Sequence, residues 1–507
     1  MHSNSQIKKG ALLSYAAIVF NIIAGFIHTP WMVSQIGKSD YGLYILVTSF
    51  LTYFVMDFGL GPTIARFISN YKAKQETDKI DQLLGLTTRF YLFINLLLLL
   101  VLVGVYFFID HIFLELTPDE ILKFKTIYLI AGGFSLLSFP FLPLDGVLIA
   151  YEKFVVLKLC EVISKVATIV LMVIALLLGY KLYALVAINA LVGIAIILIK
   201  LVVIKKALPI RPNLKYRSKT LLKELFKFSF WISVIGIAQR LLINIAPLVL
   251  GIVSGTEAIA LFSIGVVIEG YVWTFAHALN GLFLSKVTQL NLKENNLKEV
   301  TDLMIRVGRI QLIIMGLVLI GLITLGQEFI VLWMGEHFRA SYYVVVLMIV
   351  PSFIILTQDI AYTYLFVVNE LKYRAILFLS ATVVSLLLSF LLAPTLGAVG
   401  CAIGICTATM ACHVIGMNII YWKKMQLDIP RFFKECFGSL LMPLLCTLAV
   451  GFVLSNSVTS TNIFTFLLKV SIVSLFYIVM VWFTGIKKEE KELFKQPILK
   501  IINKLKK

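Results

Sequence analysis

The sequence predicts an all-α polytopic membrane protein of about fourteen transmembrane helices, and three observations carry that prediction. The first is composition: 60% of the 507 residues are hydrophobic, 14% are charged, and the mean hydropathy is +0.97, far from a soluble domain. The second is the recurrence of apolar runs about 20 residues long, each sufficient to cross a hydrocarbon core, with short loops between them. The third is where the charge lies. With a cytoplasmic N-terminus and alternating spans, roughly 36 of the 45 Lys and Arg fall in the N-terminus, the even-numbered loops and the C-terminal tail, and about 5 in the odd loops. This asymmetry puts both termini in the cytoplasm. It also explains the net charge of +18 as topology, so no nucleic-acid partner is expected.

Several chemistries are excluded by what the sequence lacks. It has no Gly-rich phosphate loop ending in Gly-Lys-Ser/Thr, no His-Glu-x-x-His pair, no Cys/His cluster and no nucleophile elbow. Cys160, Cys401, Cys406, Cys412, Cys436 and Cys446 lie in or beside apolar runs without CxxC spacing and read as small core residues. No enzyme activity, cofactor or metal is expected. The apolar run after Gly10 is longer than a signal-peptide h-region and should remain in the mature chain.

Spans 1 and 2 carry unusual polar content. In span 1, about Ala11 to Val33, residues Ser14, Asn21, Gly25 and His28 share one helical face. Span 2, about Tyr41 to Ile68, contains Asp57-Phe58-Gly59-Leu60-Gly61-Pro62 and then Arg66. An intramembrane charge costs several kcal/mol unless it faces a bundle interior, a partner or water, and broken helices at that depth line protein or a cavity. Span 4 is a second broken segment, with Pro140, Pro143 and Asp145. In span 5, Glu161 and Lys165 have the acid-first spacing of four that favours a helical ion pair.

Residues 205–227 form a basic cytoplasmic linker, with Pro209 and Pro212, between an N-lobe (1–204, spans 1–6) and a C-lobe (228–421, spans 7–12). Span 7 places Ser229, Ser233, Gly236, Arg240, Asn244 and Pro247 down one face, with the arginine too far from either end to snorkel easily. Span 8 adds Glu269, His277 and Asn280, and span 10 adds Pro351, Gln358 and Asp359. Spans 13 and 14 (436–485) are nearly free of charge except Lys469 and read as a lipid-facing pair. The basic tail 486–507 is amphipathic and should lie on the anionic inner surface.

Features recur at an offset near 217: Pro30 with Pro247, Ser69 with Ser285, Arg89 with Arg306, Glu152 with Glu370. Six spans per unit is an even number, so the two lobes have the same orientation and form a parallel pseudo-twofold repeat about the membrane normal. Two such lobes around a polar cleft describe an alternating-access transporter.

Lys8-Lys9-Gly10, Pro30-Trp31-Met32-Val33, Gly37-Lys38-Ser39-Asp40-Tyr41-Gly42-Leu43-Tyr44 and Asp57-Phe58-Gly59-Leu60 through Arg66 resemble the start of Wzx-type O-antigen and capsule flippases. These form the polysaccharide branch of the multidrug/oligosaccharidyl-lipid/polysaccharide exporter superfamily, and the length and 6 + 6 + 2 layout fit over nearly the whole chain. The resemblance implies a cargo of undecaprenyl-pyrophosphate-linked oligosaccharide, moved from the cytoplasmic to the periplasmic leaflet of a bacterial inner membrane. On that basis Arg240 and Arg66 are the diphosphate contacts, by charge-assisted hydrogen bonds, and Asn21, Asn244, Asn280 and Gln358 meet sugar hydroxyls. Asp57, Glu269, Asp359, Asp145 and His277 are the coupling-ion or cavity charges. Membrane lipid and a polysaccharide polymerase are the further candidate partners, and a monomer is expected. The rival reading is an ion-coupled drug or organic-cation exporter of the same fold, in which Glu269 and Asp359 hold the cargo.

Overall fold

A computed structural model describes residues 22–52, 60–277, 283–291, 296–458, 462–487 and 490–491. Asn21, Asp57 and Asn280 lie outside them, and so does the tail from 492. The secondary structure of the described residues is helical throughout. Ten helices are long and apolar enough to cross a membrane, eleven if one bent pair counts as a span. The sequence-based figure of about fourteen differs for two visible reasons. Spans 1 and 2 contain residues outside the described part. Spans 11 and 12 count as one continuous helix, although Gly397 breaks it with φ +54. Beyond that break Gly404 sits against Ser385 and Ser389, where a Cβ would be 3.0 Å from the Ser389 hydroxyl. The chain therefore doubles back at 394–397.

The described residues form two compact units, one of Met1–Ser263 with Arg374–Ala408 and one of Ile264–Tyr373 with Thr409–Lys507. The first unit opens with α1 (22–36), α2 (Lys38–Thr52), α3 (Leu60–Ala73) and α4 (Thr77–Ile112). Pro62 lies on α3 close to where the described residues resume at Leu60. Next come α5 (Pro118–Ser138) and α6 (Leu144–Ala150), separated by a 3-10 turn at Phe139–Phe141. The proline-broken span 4 is thus broken, as expected from Pro140 and Pro143. A core of Leu60, Ile64, Ile68, Leu83, Tyr91, Phe139 and Val147 joins α3, α4 and α6. Contact between α3 and α6 is backbone to backbone: a Cβ on Gly146 would lie 2.4 Å from the Gly61 carbonyl oxygen.

The unit continues through α7 (Phe154–Leu177), α8 (Leu182–Ala207) and α9 (Lys219–Val253), then α10 (Thr256–His277), whose second half belongs to the other unit. Residues 208–218 are non-helical and are tied to α4. The Asp81 carboxylate accepts from the Arg211 N–H at 2.8 Å, and the Asp81 carbonyl accepts from the Asn213 N–H at 2.9 Å. Glu161 does not pair with Lys165. It pairs with Lys158 at 2.8 Å, three residues away on the exposed side, and the Lys165 charge lies within electrostatic reach of His28.

The second unit contains α11 (Leu284–Asn291), α12 (Asn296–Met334), α13 (Ser341–Thr357) and α14 (Asp359–Val367), then the start of α15 (Leu371–Ala408). A π-helix at Thr409–Gly416 leads to α16 (Met417–Lys423), α17 (Ile429–Ser457) and α18 (Ile463–Met480). Helices α13 and α14 bend by 57° at Gln358, seven residues beyond Pro351. Spans 13 and 14 are not a purely lipid-facing pair. Lys469 of α18 is only 2% exposed and its ammonium lies 2.8 and 2.9 Å from the Glu328 carboxylate of α12. Tyr477 also donates to the Ile313 carbonyl at 2.8 Å, so α12 holds the pair by polar contacts that hydropathy hides.

The 217-residue offset is visible in the backbone. Glu152 and Asn369 both have positive φ, 56° and 58°, just after α6 and α14. At each site the next N–H closes back onto the helix, Lys153 onto Leu148 and Glu370 onto Leu365.

Candidate functional site

In the first unit the stripe on α9 presents Arg240 at an exposed position, and its guanidinium has no hydrogen bond or ion pair among the described residues. Asn244, one turn on, spends an amide hydrogen on the Arg240 carbonyl at 3.1 Å. Pro247 lies within the same helix, where its missing N–H weakens the local ladder. Arg66 is exposed on the α3 face that also carries Pro62, Ser69 and Asn70, opposite the buried Leu60, Ile64 and Ile68. Asp145 is exposed and already answered by Lys200 at 2.5 Å.

In the second unit Glu269 is buried on α10 and is met by hydrogen-bond donors among the described residues. Its carboxylate accepts from Trp273 Nε1 at 3.0 Å and from the Ser352 hydroxyl at 3.0 Å. Ser352 adjoins Pro351 on α13, and Gln358 sits at the bend one and a half turns on. Gln358 is 4% exposed and exchanges amide hydrogen bonds with Asn418 at 2.7 and 3.2 Å. The exchange uses one N–H and the carbonyl oxygen of the Gln358 amide. Asp359 opens α14, where an acid is favoured by the helix dipole. His277 is the last described residue of α10, and its side chain lies outside the described part. Among the described residues no group of three or more His, Cys, Asp or Glu could hold a metal ion.

Three clusters were not legible in the sequence. In the second unit, Arg309 is 1% exposed and forks onto Glu490 at 2.5 and 2.9 Å. It also donates to the Glu435 and Gly485 carbonyls at 2.9 and 2.8 Å. Burial would push the Glu490 carboxyl up, but the Arg309 hydrogen bonds and the Lys487 N–H outweigh it and hold it below its ordinary value. A cavity of about 230 Å³ beside them is lined by Asp302, Arg306, Arg431, Glu435 and Lys487 as well. The second cluster is the Glu328–Lys469 pair.

The third cluster, in the first unit, joins three loops that the topology places on one side. One Glu120 oxygen accepts from the Ser39 hydroxyl at 2.5 Å and the Thr256 hydroxyl at 2.7 Å. Lys38 pairs with Glu257 at 2.9 Å and Lys123 with Asp40 at 2.7 Å on either side. The available signal was Thr117-Pro118-Asp119-Glu120, a capping box that positions Glu120.

The chain belongs to the polysaccharide biosynthesis protein family, whose model matches residues 7–278. No curated protein matches it by sequence. Among solved structures it is similar to the lipid II flippase MurJ in an inward closed conformation, with a TM-score of 0.71 and 16% identity over 92% of this chain and 98% of that one. It is also similar to an inward-facing multidrug resistance MATE family transporter of the MOP superfamily, with a TM-score of 0.59 and 15% identity over 84% and 99%. A MOP superfamily transporter from Pyrococcus furiosus gives a TM-score of 0.55 at 15% identity over 85% and 96%. These likenesses establish the fold as that of the MOP superfamily transporters.

Proposed function

We propose that the protein is a flippase that moves undecaprenyl-pyrophosphate-linked oligosaccharide repeat units, of O-antigen or capsule, from the cytoplasmic to the periplasmic leaflet by alternating access. The observation that carries this reading is the membership of residues 7–278 in a polysaccharide biosynthesis family, joined to a fold similar to that of the lipid II flippase MurJ. Arg240 suits the diphosphate: it is a permanent cation in a membrane-spanning helix with its donors unspent among the described residues. Arg66 is the second cation, and Asn21, Asn244 and Asn280 meet sugar hydroxyls. Gln358 reaches sugar only by giving up Asn418. The polyprenyl tail stays in lipid along the exposed apolar faces of α17 and α18, where Leu441, Leu445, Phe464 and Leu468 face outward. Asp57, Glu269 and Asp359 carry the coupling ion. The protein sits in the inner membrane with both termini in the cytoplasm, works as a monomer and hands its cargo to a polymerase.

The second reading, an ion-coupled exporter of organic cations, draws support from Glu269, a buried acid with no cation beside it among the described residues. One experiment separates the two. In a deletion strain the flippase reading expects lipid-linked repeat units to accumulate on the cytoplasmic side. Wild type restores surface polysaccharide, Arg240→Ala at equal membrane level loses at least about tenfold of that activity, and Arg240→Lys retains part of it. If surface polysaccharide survives the deletion and sensitivity to cationic drugs appears instead, with Glu269→Gln failing to restore resistance, the exporter reading replaces it.

A further inference from the structure

Ser39 and Thr256 are 217 residues apart, the spacing at which the two halves of the sequence repeat, and their hydroxyls are 3.2 Å apart. Each opens the helix that follows the first span of its half, α2 and α10, and each is followed by an acid in the first turn, Asp40 and Glu257. Two residues that occupy equivalent positions in a twofold repeat touch each other only on the axis that relates the repeats. The contact therefore marks the pseudo-twofold axis at one end of the helices. A transport path that runs along that axis is closed where these residues meet.

What holds the contact together is a residue of the first half alone, Glu120 in the first turn of α5. One oxygen of Glu120 takes both hydroxyl protons, at 2.5 and 2.7 Å, while its other oxygen takes the Thr117 N–H at 2.9 Å. The capping box thus aims the carboxylate and leaves one oxygen for the two halves. Approach is close because residue 42 has no side chain: a Cβ there would stand 2.1 Å from the Thr256 carbonyl oxygen. The pairs Lys38–Glu257 and Asp40–Lys123 flank the clasp. Lys38, Glu257 and Glu120 lie in odd-numbered loops or the first turns beside them and Lys123 in the second turn of α5, the outer side under the positive-inside assignment. Charge-assisted hydrogen bonds are about twice as strong as neutral ones, yet all of these can be remade with water once the ends part.

We propose that Glu120 is the latch of an outer gate, a positioning residue that clasps the equivalent helix starts at Ser39 and Thr256 and must release them before the path opens outward. The proposal rests on the alternating-access part of the reading above and is independent of the cargo. A static structural contact would share the geometry but would not need to break during turnover.

The test combines a trap with a probe. Ser39→Cys with Thr256→Cys places two thiols at the contact, and oxidation cross-links them. The latch expects complementation of the deletion strain to fall by at least about tenfold on oxidation and to return with reductant. Failure to cross-link, or unchanged activity in fully cross-linked protein, overturns it. In the protein purified into liposomes, with no cargo present, Thr256→Cys alone reports opening, because residue 256 is 5% exposed in the clasped state. A membrane-impermeant maleimide should label it about tenfold faster when Glu120→Gln or Ser39→Ala is added, against the parent without Thr256→Cys as background. Ser39→Ala leaves the capping box intact, so helix unfolding does not mimic the result, and equal rates in all three overturn the latch. If the trap and probe behave as expected while the strain shows no polysaccharide phenotype, the cargo reading fails and the gate stands.

Discussion

Lys469 and Glu328 illustrate how charge is managed residue by residue in this chain. Hydropathy marks α18 as lipid-facing with one stray lysine, but the ammonium is 2% exposed and held by both oxygens of a carboxylate from α12. Removing one member of a buried pair leaves the other uncompensated, at about 3–5 kcal/mol, whereas replacing both with apolar groups is far less harmful. Glu328→Gln and Lys469→Met are each expected to lower the thermal midpoint in detergent by several degrees. The double change Glu328→Met with Lys469→Met should recover most of the loss. If the single changes leave the midpoint unmoved, the pair does not hold α18 to α12. The same reasoning governs Glu161, where the sequence alone allows two partners at helical spacing and the chosen one, Lys158, is on the exposed side where both charges stay wet.

At the scale of helices, the prolines were informative and the glycines decisive. Pro140 and Pro143 mark a segment that does break, whereas Pro247 and Pro351 lie inside the continuous helices α9 and α13 and the 57° bend of span 10 falls at Gln358. Which glycines matter depends on what crosses them. Gly104 has nothing within 4 Å of a Cβ, while Gly146 would place one 2.4 Å from the Gly61 carbonyl. Gly146→Ala should therefore push α3 from α6 and destabilise by about 1–3 kcal/mol, while Gly104→Ala in the same helical setting is neutral or slightly stabilising. Folded yield and melting of the two variants, measured side by side, check this. Equal behaviour would mean that the α3–α6 crossing tolerates an extra ångström.

Across the molecule, alternation of spans requires that loops of one parity meet only each other. In the first unit loop 1, loop 3 and the loop before α10 meet through Lys38, Asp40, Glu120, Lys123 and Glu257. The even loop after α3 and residues 208–218 meet through Asp81. Single cysteines at Lys181 and Lys215 should then label from opposite sides, Lys181→Cys from outside intact cells and Lys215→Cys in inverted vesicles. Labelling of both from one side would overturn the alternation.

The sequence by itself determined the all-helical membrane class of the protein and the break of span 4 at Pro140 and Pro143. Apolar length, proline and the sign of loop charge act over a few residues and need no partner to have their effect. Candidate residues such as Glu269 and Gln358 were legible because a polar group in an apolar run is conspicuous. Their partners, Ser352 and Asn418, were not, since many hydroxyls and amides stand at similar spacing. Only the tertiary structure decided that Arg309 meets Glu490, that Lys469 meets Glu328, and that Glu120 gathers two hydroxyls 217 residues apart. The energy of such contacts depends on distance in space and on the water excluded around them, and neither quantity is written along the chain.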